Sequence, residues 1–276
     1  MSGSTRLVQN VSIYAGLTLL SVVMLFPLLY TFLQSFMTPE QSSQYPPALI
    51  PESLYFGNIE KVFSFIPVGT FIGNSFVIAT TIMIGQVFIA SMAAYAFVYI
   101  RFSGKKLWFS LFLSTMMIPW EVTVIPNYLT IKSWDWLDSY QGLTIPFLAS
   151  AFGVFLLRQF FMQLPRELFE AARIDGAGHI RHYSTIVLPL SRPAIASLSV
   201  YVFLNSWNMY LWPLLTTNSE GMRTVQIGIS MLQFEEMVSW NNVLTGVMLV
   251  LLPSLLLLVL GLKQLVRGIT AGAVKG

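Results

Sequence analysis

The residues best suited to chemistry lie in one run, LPRELFEAARIDGAGHIRHYSTIVLP, from Leu164 to Pro189. Pro165 fits the first position of a helix, where its missing N–H costs nothing. Glu167 and Glu170 fall near the positive end of that helix's dipole and Arg173 near the negative end. Gly176 supplies the left-handed residue that stops it. The spacing predicts a helix of about ten residues from Pro165 to Asp175, a sharp turn, and a second short segment from His179 to Thr185. Ala171 and Ala172 are small enough to let another protein approach that face closely. Such a device docks and makes no bonds, and the same spacing also fits a solvated amphipathic loop helix. A second group mixes amides with aromatic rings: Asn205, Trp207, Asn208, Tyr210 and Trp212. Sugars need donors and acceptors for their hydroxyls and flat rings for their apolar faces, so this group and Glu121, between Pro119 and Pro126, are substrate-path candidates. Trp and Tyr also form interfacial belts, Asn also bonds between helices, and Glu121 also fits a membrane boundary facing water.

Other chemistries find little support. With no cysteine there is no disulfide or thiolate metal site. His179 and His182 lack carboxylates at ligand spacing and are expected on the loop surface. No G-x-x-x-x-G-K-[ST] run exists, Gly104-Lys105 being followed by Lys106. Basic residues are not interleaved with aromatics as a nucleic-acid face requires. A membrane enzyme would need a nucleophile or metal cluster near a base, and a secondary transporter paired intramembrane charges or broken-helix repeats.

The elements that must carry these residues follow from composition. Of 276 residues, 55% are hydrophobic and 10% charged, and mean hydropathy is +0.69. A soluble domain carries about 25% charged residues, so the chain reads as an all-α integral membrane protein. A spanning helix needs about 20 largely uncharged residues. Six stretches qualify: Val11 to Phe36, Thr70 to Ile100, Leu107 to beyond Pro119, the gap between Asp138 and Arg158, Pro193 to Thr217, and Asn242 to Leu262. The first is too long for a signal h-region and lacks a small-residue cleavage site, so it reads as a retained helix. The positive-inside rule then separates two sides. The side of the N-terminus holds 12 basic and three acidic residues, the other three basic and nine acidic, so a net charge of +3 divides into +9 and −6. Both termini are therefore expected in the cytoplasm. Pro39, Pro46, Pro47 and Pro51 forbid a long helix in the outer loop between Met37 and Gly69. The longest cytoplasmic loop, Arg158 to Arg192, holds the docking run, and residues 1–276 read as one membrane domain. Gly85, Ala90, Ser91, Ala93 and Ala94 place small residues on adjacent turns, which allows tight helix packing and suits a seam with a second membrane subunit.

The run Glu170-Ala171-Ala172, then Gly176, then Ile186-Val187-Leu188-Pro189 resembles the EAA signature of the membrane subunits of bacterial ABC importers. AAYAF from Ala93, MIPWEV from Met117, DSYQGLTIP from Asp138, FLLRQFF from Phe155 and NSWNMYLWPL from Asn205 extend the resemblance over nearly the whole chain. They are similar to the carbohydrate-uptake branch, in particular the shorter permease of maltose, arabino-oligosaccharide and glycerol-3-phosphate importers. The resemblance implies a non-enzymatic subunit of a sugar importer in a bacterial or archaeal cytoplasmic membrane, with an oligosaccharide or a glycerol-phosphate-type solute as cargo. Implied partners are a homologous permease, an extracytoplasmic solute-binding protein and two ATPase subunits, which hold the ATP and Mg; this chain binds no cofactor. Glu170, Ala171, Ala172, Arg173, Asp175, Gly176, Ile186, Leu188 and Pro189 are then the implied ATPase-coupling residues. The absence of a basic residue inside any span favours a neutral sugar, although a sister subunit can supply charge.

Overall fold

A computed structural model describes residues 3–165, 167–174, 176–233 and 240–271, and leaves the side chains of 3–8, 173, 260 and 262–271 undescribed. Every regular element among the described residues is helical, as lipid demands of a chain whose backbone must bond within its own segment. The principal helices are α1 (Gly3–Gln34), α2 (Gly57–Phe65), α3 (Val68–Tyr99), α4 (Lys105–Ser114), α5 (Trp120–Ser133), α6 (Ala151–Phe161), α7 (Glu167–Ile174), α8 (Arg192–Trp207), α9 (Leu211–Thr216), α10 (Val225–Gln233) and α11 (Trp240–Ala271). Three stretches are long and apolar enough to cross a membrane alone: Gln9–Gln34, Val68–Tyr99 and Trp240–Val259. Three further stretches reach that length only as bent pairs: Lys105–Met117 with Trp120–Ser133 at 96°, Tyr140–Phe147 with Ala151–Phe161 at 46°, and His179–Leu190 with Arg192–Trp207 at 76°.

The bends depart from the straight spans that charge spacing suggests, and the first two have local causes. Pro119 lies at the N-cap of α5 in extended geometry, where its ring cannot continue the preceding helix. Ser150 starts α6 by accepting the Gly153 N–H at 3.3 Å. The segment expected to run unbroken from Pro193 to Thr217 stops at Trp207, and α9 begins at Leu211. Pro213 thereby falls in the first turn of a new helix, where no N–H is needed, rather than in the interior of an old one.

The chain divides into two compact units, Met1–Val68 with Gly228–Leu252 and Gly69–Ile227 with Pro253–Gly276. In the first, Asn58 is buried and donates through Nδ2 to the carbonyls of Ser35 at 3.1 Å and Met37 at 2.8 Å. Asn241 donates to the same Met37 carbonyl at 3.1 Å, and Tyr55 N–H to Phe36 O at 2.9 Å. The proline-rich loop thus holds short helices only, tied down by side-chain amides. In the second, α3, α6 and α8 share a core containing Ile78, Ile82, Val154, Leu157 and Leu198. Close approach depends on Gly153, where a Cβ would come within 3.2 Å of the Ala90 methyl and 3.4 Å of Leu198. The small residues of α3 are therefore used inside the chain. Ala90, Ser91 and Ala94 are buried, and Ser91 Oγ hydrogen-bonds Tyr183 OH at 2.7 Å, so they serve the tight helix packing expected of them within the chain, and these three are not free for a seam.

Candidate coupling segment and translocation recess

The docking run begins at Glu167, carries both acids in its first turn, and ends at Ile174. Gly176 takes φ +76°, and Ala177 N–H closes the helix end by donating to Ala172 O at 2.9 Å. One face of α7 rests on an aromatic platform. The Phe169 ring lies 4.6 Å from Tyr99 and 4.5 Å from His182. Tyr99 OH donates to Phe161 O at 2.8 Å, and Tyr95 OH bridges His182 Nδ1 at 2.8 Å and His179 Nδ1 at 3.2 Å. His182 is therefore buried, not on the loop surface as its spacing suggested. Burial, then the charge of His179, push its imidazole below the ordinary value, so it is neutral at pH 7 and behaves as a further aromatic ring.

Among the described residues, no hydrogen bond or ring contact covers the opposite face. Glu170 and Ala171 are exposed, and Ile174 and Ile180 are 86% and 85% exposed. Apolar residues at this exposure, beside a helix held from behind, suit a docking surface. Ala172 is buried, so of the two alanines Ala171 alone faces outward. Ile186 and Leu188 are half-buried and Pro189 exposed, while the fully buried residue of that stretch is Val187, the position the signature leaves unspecified. Here the chain widens into π-type turns from Tyr183 to Val187. Asp175 and the side chain of Arg173 lie outside the described residues.

A recess of about 650 Å³ opens beside α8 and α9. Asn205, Tyr210 and Trp212 of the candidate path line it, joined by Gln86, Trp120, Thr123, Ser150 and Tyr201. Trp212 donates its Nε1–H to Gly142 O at 3.0 Å and forms an aromatic cluster with Trp120 at 5.7 Å and Phe147 at 5.9 Å. The other candidates lie elsewhere. Glu121 is exposed in the first turn of α5, Trp207 is buried and stacked on Phe203 at 5.8 Å, and Asn208 Oδ1 accepts from Gln226 Nε2 at 3.2 Å. Sequence reasoning passed over Trp120 and Phe147, although each neighbours a proline, Pro119 and Pro146, at a helix break. Among the described residues, no charged one lines the recess. Among the described residues, no three His, Asp or Glu side chains assemble a metal-binding group.

A family model described as "Binding-protein-dependent transport system inner membrane component" matches residues 86–270. The sn-glycerol-3-phosphate transport system permease protein of Yersinia enterocolitica is 41% identical over 256 residues, covering 90% of this chain and 91% of that one. The corresponding protein of Brucella melitensis is 38% identical over 274 residues, covering 96% and 97%. Among solved structures, a bacterial ABC transporter involved in the import of the acidic polysaccharide alginate aligns with TM-score 0.82 at 21% identity, covering 95% of this chain and 98% of that one. A second alginate transporter structure, in complex with an alginate pentasaccharide-bound periplasmic protein, aligns with TM-score 0.63 at 13% identity, covering 97% of each chain.

Proposed function

We propose a role for this chain from one premise: it belongs to the family of binding-protein-dependent transport system inner membrane components. It is a membrane permease of the carbohydrate-uptake branch of ABC importers. Within that role we read six spans, each bent pair supplying one, the third through Arg192–Trp207 with His179–Leu190 on the cytoplasmic side, and both termini in the cytoplasm of a bacterium or archaeon. The partners are a homologous permease forming a heterodimer, an extracytoplasmic solute-binding protein, and two ATPase subunits that hold ATP and Mg. Catalysis of ATP hydrolysis belongs to those subunits.

The observation that carries this reading is the asymmetry of α7. Its inner face is seated on Tyr99 and His182 through Phe169, and Glu170, Ala171 and Ile174 are exposed on its outer side. Closure of the ATPase subunits moves the docked helix, and the aromatic platform passes that motion to α3, which also contributes Gln86 to the recess. Gly176 fixes the turn that holds the arrangement. A valine there would force a Cβ into positive φ, costing on the order of 1 kcal/mol or more. Gly176→Val is expected to bring uptake to background in reconstituted vesicles while leaving membrane insertion unchanged; undiminished uptake overturns the docking role.

The cargo is a sugar, in our reading a neutral oligosaccharide, because the recess offers amides, hydroxyls and aromatic faces and no cation for a phosphate. The names of the 41%-identical relatives favour sn-glycerol-3-phosphate instead. Vesicle uptake of each labelled solute, supplied with the cognate binding protein, separates the two. An ion-coupled secondary transporter is the third reading, and uptake that persists after ATP depletion with the ion gradient intact would select it.

A further inference from the structure

Away from the recess, a pocket of about 770 Å³ gathers Arg101, Lys105, Lys106 and Arg158, with Glu170 the single carboxylate on its wall. Three helix ends create it. The chain leaves α3 at Tyr99, turns through Gly104 at φ +72°, and starts α4 at Lys105. Meanwhile α6 brings Arg158 alongside, and α7 closes one side with Phe169 and Glu170. Two of the cations are held in place. Lys105 Nζ donates to the carbonyls of Val98 at 3.0 Å and Ile100 at 3.1 Å, capping the end of α3. The Arg158 guanidinium lies 4.1 Å above the Phe109 ring, and its Nε is buried without a hydrogen-bond partner. Lys105 and Arg158 line the same pocket, so the two cations lie together. Among the described residues no carboxylate forms an ion pair with any of the four.

Like charges fixed close together and partly removed from water are costly without a counter-ion, as is a buried donor left unpaired. The pocket therefore wants an anion. Its walls specify more than that: Phe97, Phe109, Phe161 and Met162 are apolar, and the outer face of α4 exposes Leu107 and Trp108. An anion with a hydrocarbon tail matches both halves. Basic pockets between spanning helices bind acidic lipid headgroups in this way.

We propose that this pocket binds an acidic phospholipid, its phosphate held by Arg101, Lys106 and Arg158 and an acyl chain lying along Phe97, Phe109 and Met162. Placing that lipid in the cytoplasmic leaflet rests on the orientation proposed above. The bound phosphate satisfies the cations on the wall that Glu170 shares, next to the docking surface. Lipid occupancy thereby tunes coupling.

The test uses the complete transporter with its partner subunits in nanodiscs of phosphatidylcholine, alone or mixed with phosphatidylglycerol. Native mass spectrometry counts the phosphatidylglycerol retained per complex, and ATP hydrolysis stimulated by the binding protein is measured in parallel. The wild type is expected to retain phosphatidylglycerol in preference to phosphatidylcholine and to hydrolyse faster when it is present. Lys106→Gln and Arg158→Gln should each weaken retention about fivefold, near 1 kcal/mol per cation, and Lys106→Arg should restore it. Equal retention by the glutamine variants overturns the proposal, as does displacement by millimolar inorganic phosphate, which would mark a free-anion site. If the variants fail to assemble, wild-type retention without preference for phosphatidylglycerol overturns it alone. Retention does not depend on ATP, so a failure of the permease reading shows only in hydrolysis and uptake.

Discussion

Asp138 shows how much one side chain outside the recess can hold. It takes φ +51°, a region in which Asp and Asn are enriched among non-glycine residues. From there its Oδ1 accepts from Asn218 N–H at 2.7 Å, Ser219 N–H at 2.9 Å and Ser219 Oγ at 3.0 Å. Its own N–H donates to Thr216 O at 2.9 Å. One residue thus pins the loop after α9 to the turn before Tyr140. Its slight burial raises the carboxyl pKa, but the hydrogen bonds from Ser219 and Asn218 outweigh this and hold it below the ordinary value. A folded-state pKa below the unfolded one gives stability that is present above the unfolded value, near pH 4, and lost as pH falls through the folded value. Asp138→Asn keeps the backbone preference and an acceptor oxygen while removing the charge. It should lower stability by about 1 kcal/mol at neutral pH, read as a reduced melting temperature, with the difference from wild type vanishing in acid. A constant difference down to low pH would show that the charge contributes nothing. The sequence carried the DSYQGLTIP run that contains Asp138 but gave no hint of its partners, which lie about eighty positions away.

At the scale of elements, α7 was legible because its signals are local. A proline and two acids at the start and a glycine at the stop predicted Pro165 to Asp175, and the helix spans Glu167–Ile174. What it rests on was not legible, since Tyr95 and Tyr99 sit about seventy residues before Phe169 and only packing joins them. The same limit explains His182: two histidines three apart look like surface residues until a tyrosine hydroxyl is placed between them. The bends were missed for another reason. Low charge marks apolar length and is blind to direction, whereas Pro119, Ser150 and Ser191 redirect the backbone through local geometry. The platform predicts that Phe169 transmits force. Phe169→Ala should remove about 1–2 kcal/mol of packing from a half-buried ring and loosen α7 without unfolding the core. In the assembled transporter, ATP hydrolysis should then persist while uptake per ATP falls. Uptake and hydrolysis falling in the same proportion would show that Phe169 is not part of the transmission.

For the molecule as a whole, orientation turns on where its few charges lie. A net +3 would say little, but the proposed topology divides it into a strongly basic side and an acidic side, and that division is what supports the proposed orientation, because Lys and Arg resist translocation when they flank spans. The bent pairs preserve that division if each crosses the membrane once: the run from Arg158 to Arg192 then lies on the same side as Arg6, and the loop from Met37 to Gly69 on the other. The absence of cysteine makes the orientation directly measurable. Ser43 and Ser184 are both exposed, one in each of those segments, so single-cysteine variants at the two positions report opposite sides. In intact cells, Ser43→Cys should react with a membrane-impermeant maleimide that crosses the outer envelope, whereas Ser184→Cys should react only after the inner membrane is opened. Labelling of both in intact cells would mean that at least one bent pair enters and leaves by the same face. The reversed pattern would place the docking helix outside, beyond reach of any ATPase, and would overturn the coupling mechanism together with the topology.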